Sequence, residues 1–350
     1  MDHPLGVDPD EVGVLDHRAK RYAWSVGPAK FRGSIAAMSL PASHEALALA
    51  LEQASYLADP RVALVTWLAL TLGRPLLVEG PAGVGKTDLA RAAAEALGRP
   101  LLRLQCYEGL DESKALYEWD YAKQMLYTQL LRDAVAERTV GAPTLVDALE
   151  RVAHADVAFY SPRFLIARPL LRALTSDEPV VLLVDEIDRA DPEFEALLLE
   201  VLAEQQVTIP ELGTVKAKHA PLVVLTSNGT RDFTDALRRR CLHAFLDYPP
   251  PSREVAILEL RVPGIGRRLA EQLALFASRL RTLDLRKSPS ISETLDWARA
   301  LLVLGASALG PEVVRSTLAV LLKYEEDRAK VDGKAEVLLA GNIQVTQRTL

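Results

Sequence analysis

Eight residues, Gly80-Pro81-Ala82-Gly83-Val84-Gly85-Lys86-Thr87, constrain this chain more than any others. They spell G-x-x-x-x-G-K-[ST], a loop whose glycines let the backbone curl so that its N–H groups point inward at phosphate oxygens. A larger side chain would block that approach. Lys86 adds a mobile point charge for the outer phosphates, and the Thr87 hydroxyl is placed to ligate a divalent cation. The context agrees with the motif. Leu76-Leu77-Val78 reads as a short strand, and Asp88 to Gly98 reads as an Ala- and Leu-rich helix stopped by Gly98-Arg99-Pro100. That helix would turn its positive dipole end toward the same anion.

The flanking chain alternates strands and helices. Ser43 is placed to cap a helix through Leu51, and Arg61 to Leu72 forms a second before the first strand. Leu101 to Gln105, Val180 to Val184, Pro221 to Thr226 and the stretch around Ala244-Phe245-Leu246 read as further strands. Val180 to Val184 has the unbroken apolar character of a central parallel strand buried on both faces. Between the second and third of these strands lies far more chain than a crossover needs, which predicts inserted helices. Val207 to Ile209 and Thr214 to Ala217, joined through Gly213, read as a β-hairpin. Pro249-Pro250-Pro251 marks a boundary, beyond which spaced Leu, Val and Ala predict only helices. The expected divisions are an extension (1–40), an α/β domain (41–248), a helical lid (249–329) and a tail (330–350).

A net charge of −6 counts against a broad nucleic-acid-binding face, which needs concentrated Lys and Arg. Two cysteines, Cys106 and Cys241, are too few for a disulfide framework or a metal cage. The first residues lack a secretory pattern, and no apolar run is long enough to span a membrane. The expectation is a soluble cytoplasmic protein.

Chemistry concentrates at strand ends. Asp185 and Glu186 follow the Val180 to Val184 run, in the crevice where open α/β sheets bind ligands. Asp185 suits a Mg²⁺ shell, and Glu186 suits a base that orients and deprotonates an attacking water. Asn228 ends another strand, where a neutral amide can hold water or γ-phosphate without adding charge. Arg238-Arg239-Arg240 closes the next short helix. These residues read either as a basic helix end or as an arginine finger for a neighbouring subunit, with Arg240 first and Arg239 next. Tyr107 and Lys216-Ala217-Lys218 read as local packing and a solvated strand, or as pore contacts. Cys241 reads as a structural thiol rather than a nucleophile, with His243 the one candidate base near it in sequence.

Taken in order, these elements resemble the AAA+ ATPases and, within them, the MoxR family. The match rests on Gly80 to Thr87, the Asp-Glu-Ile-Asp of residues 185–188, Thr226-Ser227-Asn228 and Ala236 to Leu242. Leu104 to Asp111, Ala115 to Tyr121, Val207 to Val215 and Glu293 to Leu301 are similar to the branch linked to maturation of molybdenum-containing carbon monoxide dehydrogenase. The resemblance implies a P-loop AAA+ parallel sheet of order 5-1-4-3-2 with helices on both faces, followed by an all-helical lid. It implies ATP and Mg²⁺ as ligands, with Gly80, Pro81, Ala82, Gly83, Val84, Gly85, Lys86 and Thr87 binding nucleotide and Thr87 and Asp185 holding the metal. It further implies a homo-oligomeric ring, usually a hexamer, a partner with a von Willebrand factor A domain, and a protein client. One departure stands out: Ser292-Glu293 occupies about the place where many MoxR relatives carry a sensor arginine, with Arg299 as a possible substitute. A nucleic-acid motor and a nucleotide-gated assembly scaffold are the alternative readings.

Overall fold

The computed structural model describes residues 40–127, 129, 162–210 and 212–340. The expected extension up to residue 39, most of the inserted segment and residues 341–350 lie outside the described residues. The chain divides into two compact units. Of the described residues, one holds 119–127, 129, 162–165, 210 and 212, and the other holds 40–118, 166–209 and 213–340. Within the described part of the first unit, Asp120 N–H donates to the Phe164 carbonyl at 2.7 Å, and the Tyr127 ring meets Phe164 edge-on at 5.3 Å.

The described strands are β1 (Leu76–Glu79), β2 (Leu101–Gln105), β3 (Tyr117–Trp119), β4 (Leu165–Ala167), β5 (Val181–Asp185), β6 (Gln206–Ile209), β7 (Gly213–Lys216), β8 (Leu222–Ser227) and β9 (Leu242–Phe245). Five of them pair in the order β2-β5-β8-β1-β9, every pairing parallel. Counted along the chain, this is the expected 5-1-4-3-2, with helices on both faces. β5 and β8 are buried at every position, which is why their sequences run as unbroken apolar stretches rather than alternating. β6 and β7 form the expected antiparallel hairpin.

On one face, the helices His44–Gln53, Pro60–Leu72 and Lys86–Ala96 share a core with Leu76, Val78, Val181, Leu183 and Val224. Their starts are set locally. The Ser43 hydroxyl accepts from Ala46 N–H at 3.2 Å, and Asp59 accepts from Arg61 N–H at 2.9 Å with Pro60 in the first turn. The register of the sheet positions the site: Gln105 lies opposite Asp185, and Glu79 lies between Ser227 and Phe245. The carboxyl ends of all five strands therefore finish at one edge.

Between Pro251 and Ala340 the regular elements are all helices: Pro251–Arg261, Arg267–Arg281, Ile291–Val303 and Pro311–Leu321 enclose a second core. Trp297 is wholly buried there, 5.5 Å from the Phe276 ring, and its indole N–H donates to Thr317 Oγ1 at 2.8 Å. Val84 of the glycine loop belongs to the same core. The expected division at residue 330 falls within the helix Glu325–Asp332. Helices Glu325–Asp332 and Ala335–Ala340 continue the packing, with Val331, Ala335 and Leu338 buried. Those three residues form an i, i+4, i+7 stripe that Gly333 interrupts, so the pattern is legible only in two short pieces. Among the described residues, no helix is long and apolar enough to cross a membrane.

Candidate active site

β1 ends at Glu79, and the loop then turns through Gly80, Gly83 and Gly85, all at positive φ. Gly80 has no alternative: a Cβ there would sit 1.9 Å from the Leu246 carbonyl oxygen of neighbouring β-edge chain. Lys86 opens the following helix yet is only 7% exposed, because its side chain folds back beneath the loop. Its ammonium donates to the carbonyls of Gly80 and Pro81, both at 2.7 Å, and to Asn228 Oδ1 at 2.9 Å. Burial pushes this ammonium below its ordinary pKa, while the carboxylates of Asp188, Asp185 and Glu186 pull the other way.

Asp185, 2% exposed, gathers four donors. Its Oδ1 accepts from the hydroxyls of Thr87 at 2.9 Å and Thr226 at 2.6 Å. Its Oδ2 accepts from Arg103 Nε at 3.1 Å and from the same guanidinium's Nη2 at 2.6 Å. Glu186 leaves the strand in a left-handed conformation, φ 57° and ψ 49°, which is costly for a residue bearing a Cβ. This bend turns the chain out of the sheet, and the Glu186 N–H is held by Thr226 Oγ1 at 2.9 Å. The Glu186 carboxylate accepts from Gln105 Nε2 at 3.0 Å and pairs with Arg189 at 3.1 Å.

Sequence reasoning missed the network behind these groups. Asp188, 5% exposed, accepts from Asn228 N–H at 3.2 Å, from Thr230 N–H at 3.3 Å and from the Thr230 hydroxyl at 2.7 Å, all on one oxygen. It thereby ties the turn after β5 to the turn after β8, and Asn228 in turn meets Lys86. Arg231 continues the tie, donating to the carbonyls of Asp188 at 3.2 Å and Ala190 at 2.9 Å and pairing with the buried Glu195. The other oxygen of Glu195 accepts from the N–H and hydroxyl of Thr234, the cap of the arginine helix Asp235–Arg240. The available signal was the third acid of Asp-Glu-Ile-Asp and a glutamate on the otherwise apolar face of the helix Pro192–Glu204.

A cavity of about 290 Å³ opens beside the loop, lined among others by Tyr56, Gly85, Leu246, Arg253, Arg261 and Ser292. Arg253 and Arg261 line it, and Arg281 fixes the chain nearby. Arg253 donates to the Leu57 carbonyl at 3.0 Å and pairs with Asp59 at 3.4 Å, while Arg261 pairs with Asp88 at 3.4 Å. Arg281 holds the buried Glu254 through both terminal nitrogens at 2.6 and 2.7 Å, and its Nε donates to the Pro289 carbonyl at 2.8 Å. This anchors the entry to the helix Ile291–Val303, whose Ser292 N–H and hydroxyl donate to the Gly83 carbonyl at 3.3 and 3.4 Å. Arg299 instead pairs with Asp296 on its own helix. Ser292 thus reaches the loop from the start of that helix.

The structure brings together Gly80 to Thr87, Asp185, Glu186 and Asn228. It keeps Arg239 and Arg240 outside that cluster: both are exposed, Arg239 4.0 Å from Asp235 and Arg240 donating to the Ala236 carbonyl at 3.2 Å, each on its own helix. Arg238 is engaged with Glu79 and Asp232. Tyr107 and Lys216 are exposed, and Lys218 pairs with Asp177 at 2.6 Å. Cys241 is buried without His243, whose ring contacts Glu79 on the adjacent strand.

Residues 75–241 match the family model described as AAA domain (dynein-related subfamily), a stretch that contains Gly80 to Thr87, Asp185, Glu186, Asn228 and Arg238 to Arg240. That stretch is similar to AAA domains. The chaperone protein ClpB of Corynebacterium diphtheriae is 29% identical over 205 residues, 55% of this chain and 20% of that one. An uncharacterised protein of Staphylococcus aureus is 27% identical over 239 residues, 67% of this chain and 77% of its own length. The chain thus spans about a fifth of the ClpB relative. Among solved structures, a mutant of Thermotoga maritima RuvB is 19% identical with a TM-score of 0.45, covering 87% of this chain and 83% of that one.

Proposed function

We propose that this chain is a Mg²⁺-dependent ATP hydrolase that works in a ring as a chaperone-like remodelling or metalloenzyme-maturation factor of the MoxR type. The observation that carries the reading is the meeting of loop and strand, with Thr87 Oγ1 2.9 Å from Asp185 Oδ1 while Glu186 bends away beside them. A hydroxyl and a carboxylate are the hard-oxygen donors that Mg²⁺ takes together with phosphates, so the residues present fit the ion. When bound, the ion would draw charge from the β- and γ-phosphate oxygens.

The chain's own residues supply the rest. Backbone N–H groups of Gly83 to Thr87 cradle the phosphates, and Lys86 exchanges its carbonyl partners for phosphate oxygens. Asn228 holds the attacking water, and Glu186 accepts its proton. The cavity by Tyr56, Arg253 and Arg261 takes the nucleoside. Arg240, with Arg239 beside it, reaches the ATP of the next subunit and stabilises charge on the transferred phosphoryl. Their exposure on a capped helix supports a hexameric ring, and the chaperone name of the ClpB relative supports a protein client. A cytoplasmic protein with a von Willebrand factor A domain is the proposed adaptor.

The test is Glu186→Gln. ATP binding should persist while turnover falls by about 10²–10⁴, the usual worth of a positioned base. Wild-type turnover in that variant would remove Glu186 from its role. The same variant, trapped with ATP, should retain client and adaptor in a pull-down.

A further inference from the structure

We propose that Arg103 is a built-in cation on Asp185 that sets how tightly the site takes its divalent metal. The inference rests on the ATP–Mg²⁺ reading above. It starts from the register of β2 against β5. Gln105 lies opposite Asp185, and Arg103, two residues earlier, shares the face of Gln105. A long side chain there reaches one step along the sheet to the Asp185 carboxylate, and Arg103 does so with Nε and Nη2 at 3.1 and 2.6 Å.

The two oxygens of Asp185 therefore have different tasks. Oδ1 faces the Thr87 and Thr226 hydroxyls, neutral groups that can give way or share. Oδ2 is held by a guanidinium that never loses its charge. A metal ion approaching Oδ1 meets a carboxylate already half neutralised and a like charge across it. Asp185 on its own is then a weak metal ligand, and the ion must arrive with the triphosphate that completes its shell. Arg103 also reaches the hydrolytic carboxylate. Its Nη2 donates to Gln105 Oε1 at 2.6 Å, and Gln105 Nε2 donates to Glu186 at 3.0 Å. One guanidinium thus positions both acids of the site.

The experiment measures binding rather than turnover. A fluorescent, non-hydrolysable ATP analogue is titrated onto the full chain at increasing Mg²⁺, with Arg103→Met, Arg103→Gln and Arg103→Lys beside wild type and thermal melts to verify folding. Removing the charge should lower the Mg²⁺ concentration for half-maximal binding by about tenfold in Met and Gln. Lys, which keeps the charge but not the two-nitrogen grip, should need more Mg²⁺ than Met or Gln and lie nearest to wild type. An unmoved or higher Mg²⁺ requirement in a folded neutral variant overturns the proposal, as does Lys behaving like Met. A wild-type chain that binds the analogue at no Mg²⁺ concentration overturns the ATP reading itself, and this proposal with it. Normal wild-type binding with unmoved midpoints overturns only the role of Arg103.

Discussion

Lys86 and Arg240 are both cations at the start or end of a helix, and the fold treats them in opposite ways. Lys86 is buried with three oxygen acceptors drawn from the loop and from Asn228. Arg240 is exposed and donates to a carbonyl of its own helix. The helix that carries it is nonetheless well anchored, since the buried Glu195 accepts from its cap, Thr234. A rigid platform bearing exposed guanidiniums makes sense when the acceptor belongs to another molecule. The loop side of the site satisfies its charges internally, whereas the arginine side leaves its charges outward.

The sharpest way to break this contrast is Arg240→Ala. If the guanidinium completes a neighbour's site, turnover should fall by about 10³ or more. Stability in urea should stay within about 0.5 kcal/mol of wild type, as for an exposed residue without buried partners. Mixing Arg240→Ala with Glu186→Gln separates an interface role from a local one. If both roles hold, each variant is inactive alone, and a Glu186→Gln subunit lends its intact Arg240 to an Arg240→Ala neighbour. Activity in the mixture above that of either variant supports the outward reading, and none at all counts against it.

Arg281 provides the inward counterpart. Its pair with Glu254 is among the most enclosed charge pairs of the described residues, with Glu254 at 0% exposure and the guanidinium 4.6 Å from the Tyr248 ring. Glu254→Ala would leave a buried cation unpaired, at a cost of about 3–5 kcal/mol in urea unfolding. The loop at Pro289 and Ser290 would lose its anchor, so nucleotide affinity should weaken as well. A stability change below about 1 kcal/mol would mean that water reaches Arg281, and the contrast with Arg240 would be one of degree.

How far the sequence reveals this follows from the range of each interaction. The loop, the strand ends and the buried β5 and β8 are local patterns: glycine spacing, apolar runs and the acids that end them. The strand order came from family resemblance, and the parallel pairing bears it out. The Asp188–Asn228, Arg231–Glu195 and Arg103–Asp185 contacts join residues 36 to 82 positions apart, and no periodicity encodes such pairs. Glu195 could be noticed only as an acid on a buried face. The last two helices escaped because Gly333 splits a stripe too short to register as a helix.

The smallest effect concerns buried groups that stay neutral. Burial pushes the thiols of Cys106 and Cys241 up to about 12, from 9.0, with the carboxylates of Asp185, Asp188 and Glu186 adding to the effect at Cys106. A raised folded pKa gives stability that is fully present below the unfolded value and lost as pH rises through the folded one. The window is therefore pH 9 to 12. At pH 9.5 each thiol should already cost about 0.8 kcal/mol relative to pH 7.5, because only the unfolded chain ionises there. Cys241→Ala removes one such contribution, so its stability should decline less between these two pH values than that of wild type. Equal declines would place the Cys241 thiol in contact with water. Thiol reagents at pH 8 should then label the folded chain, whereas a buried pair reacts only after denaturation.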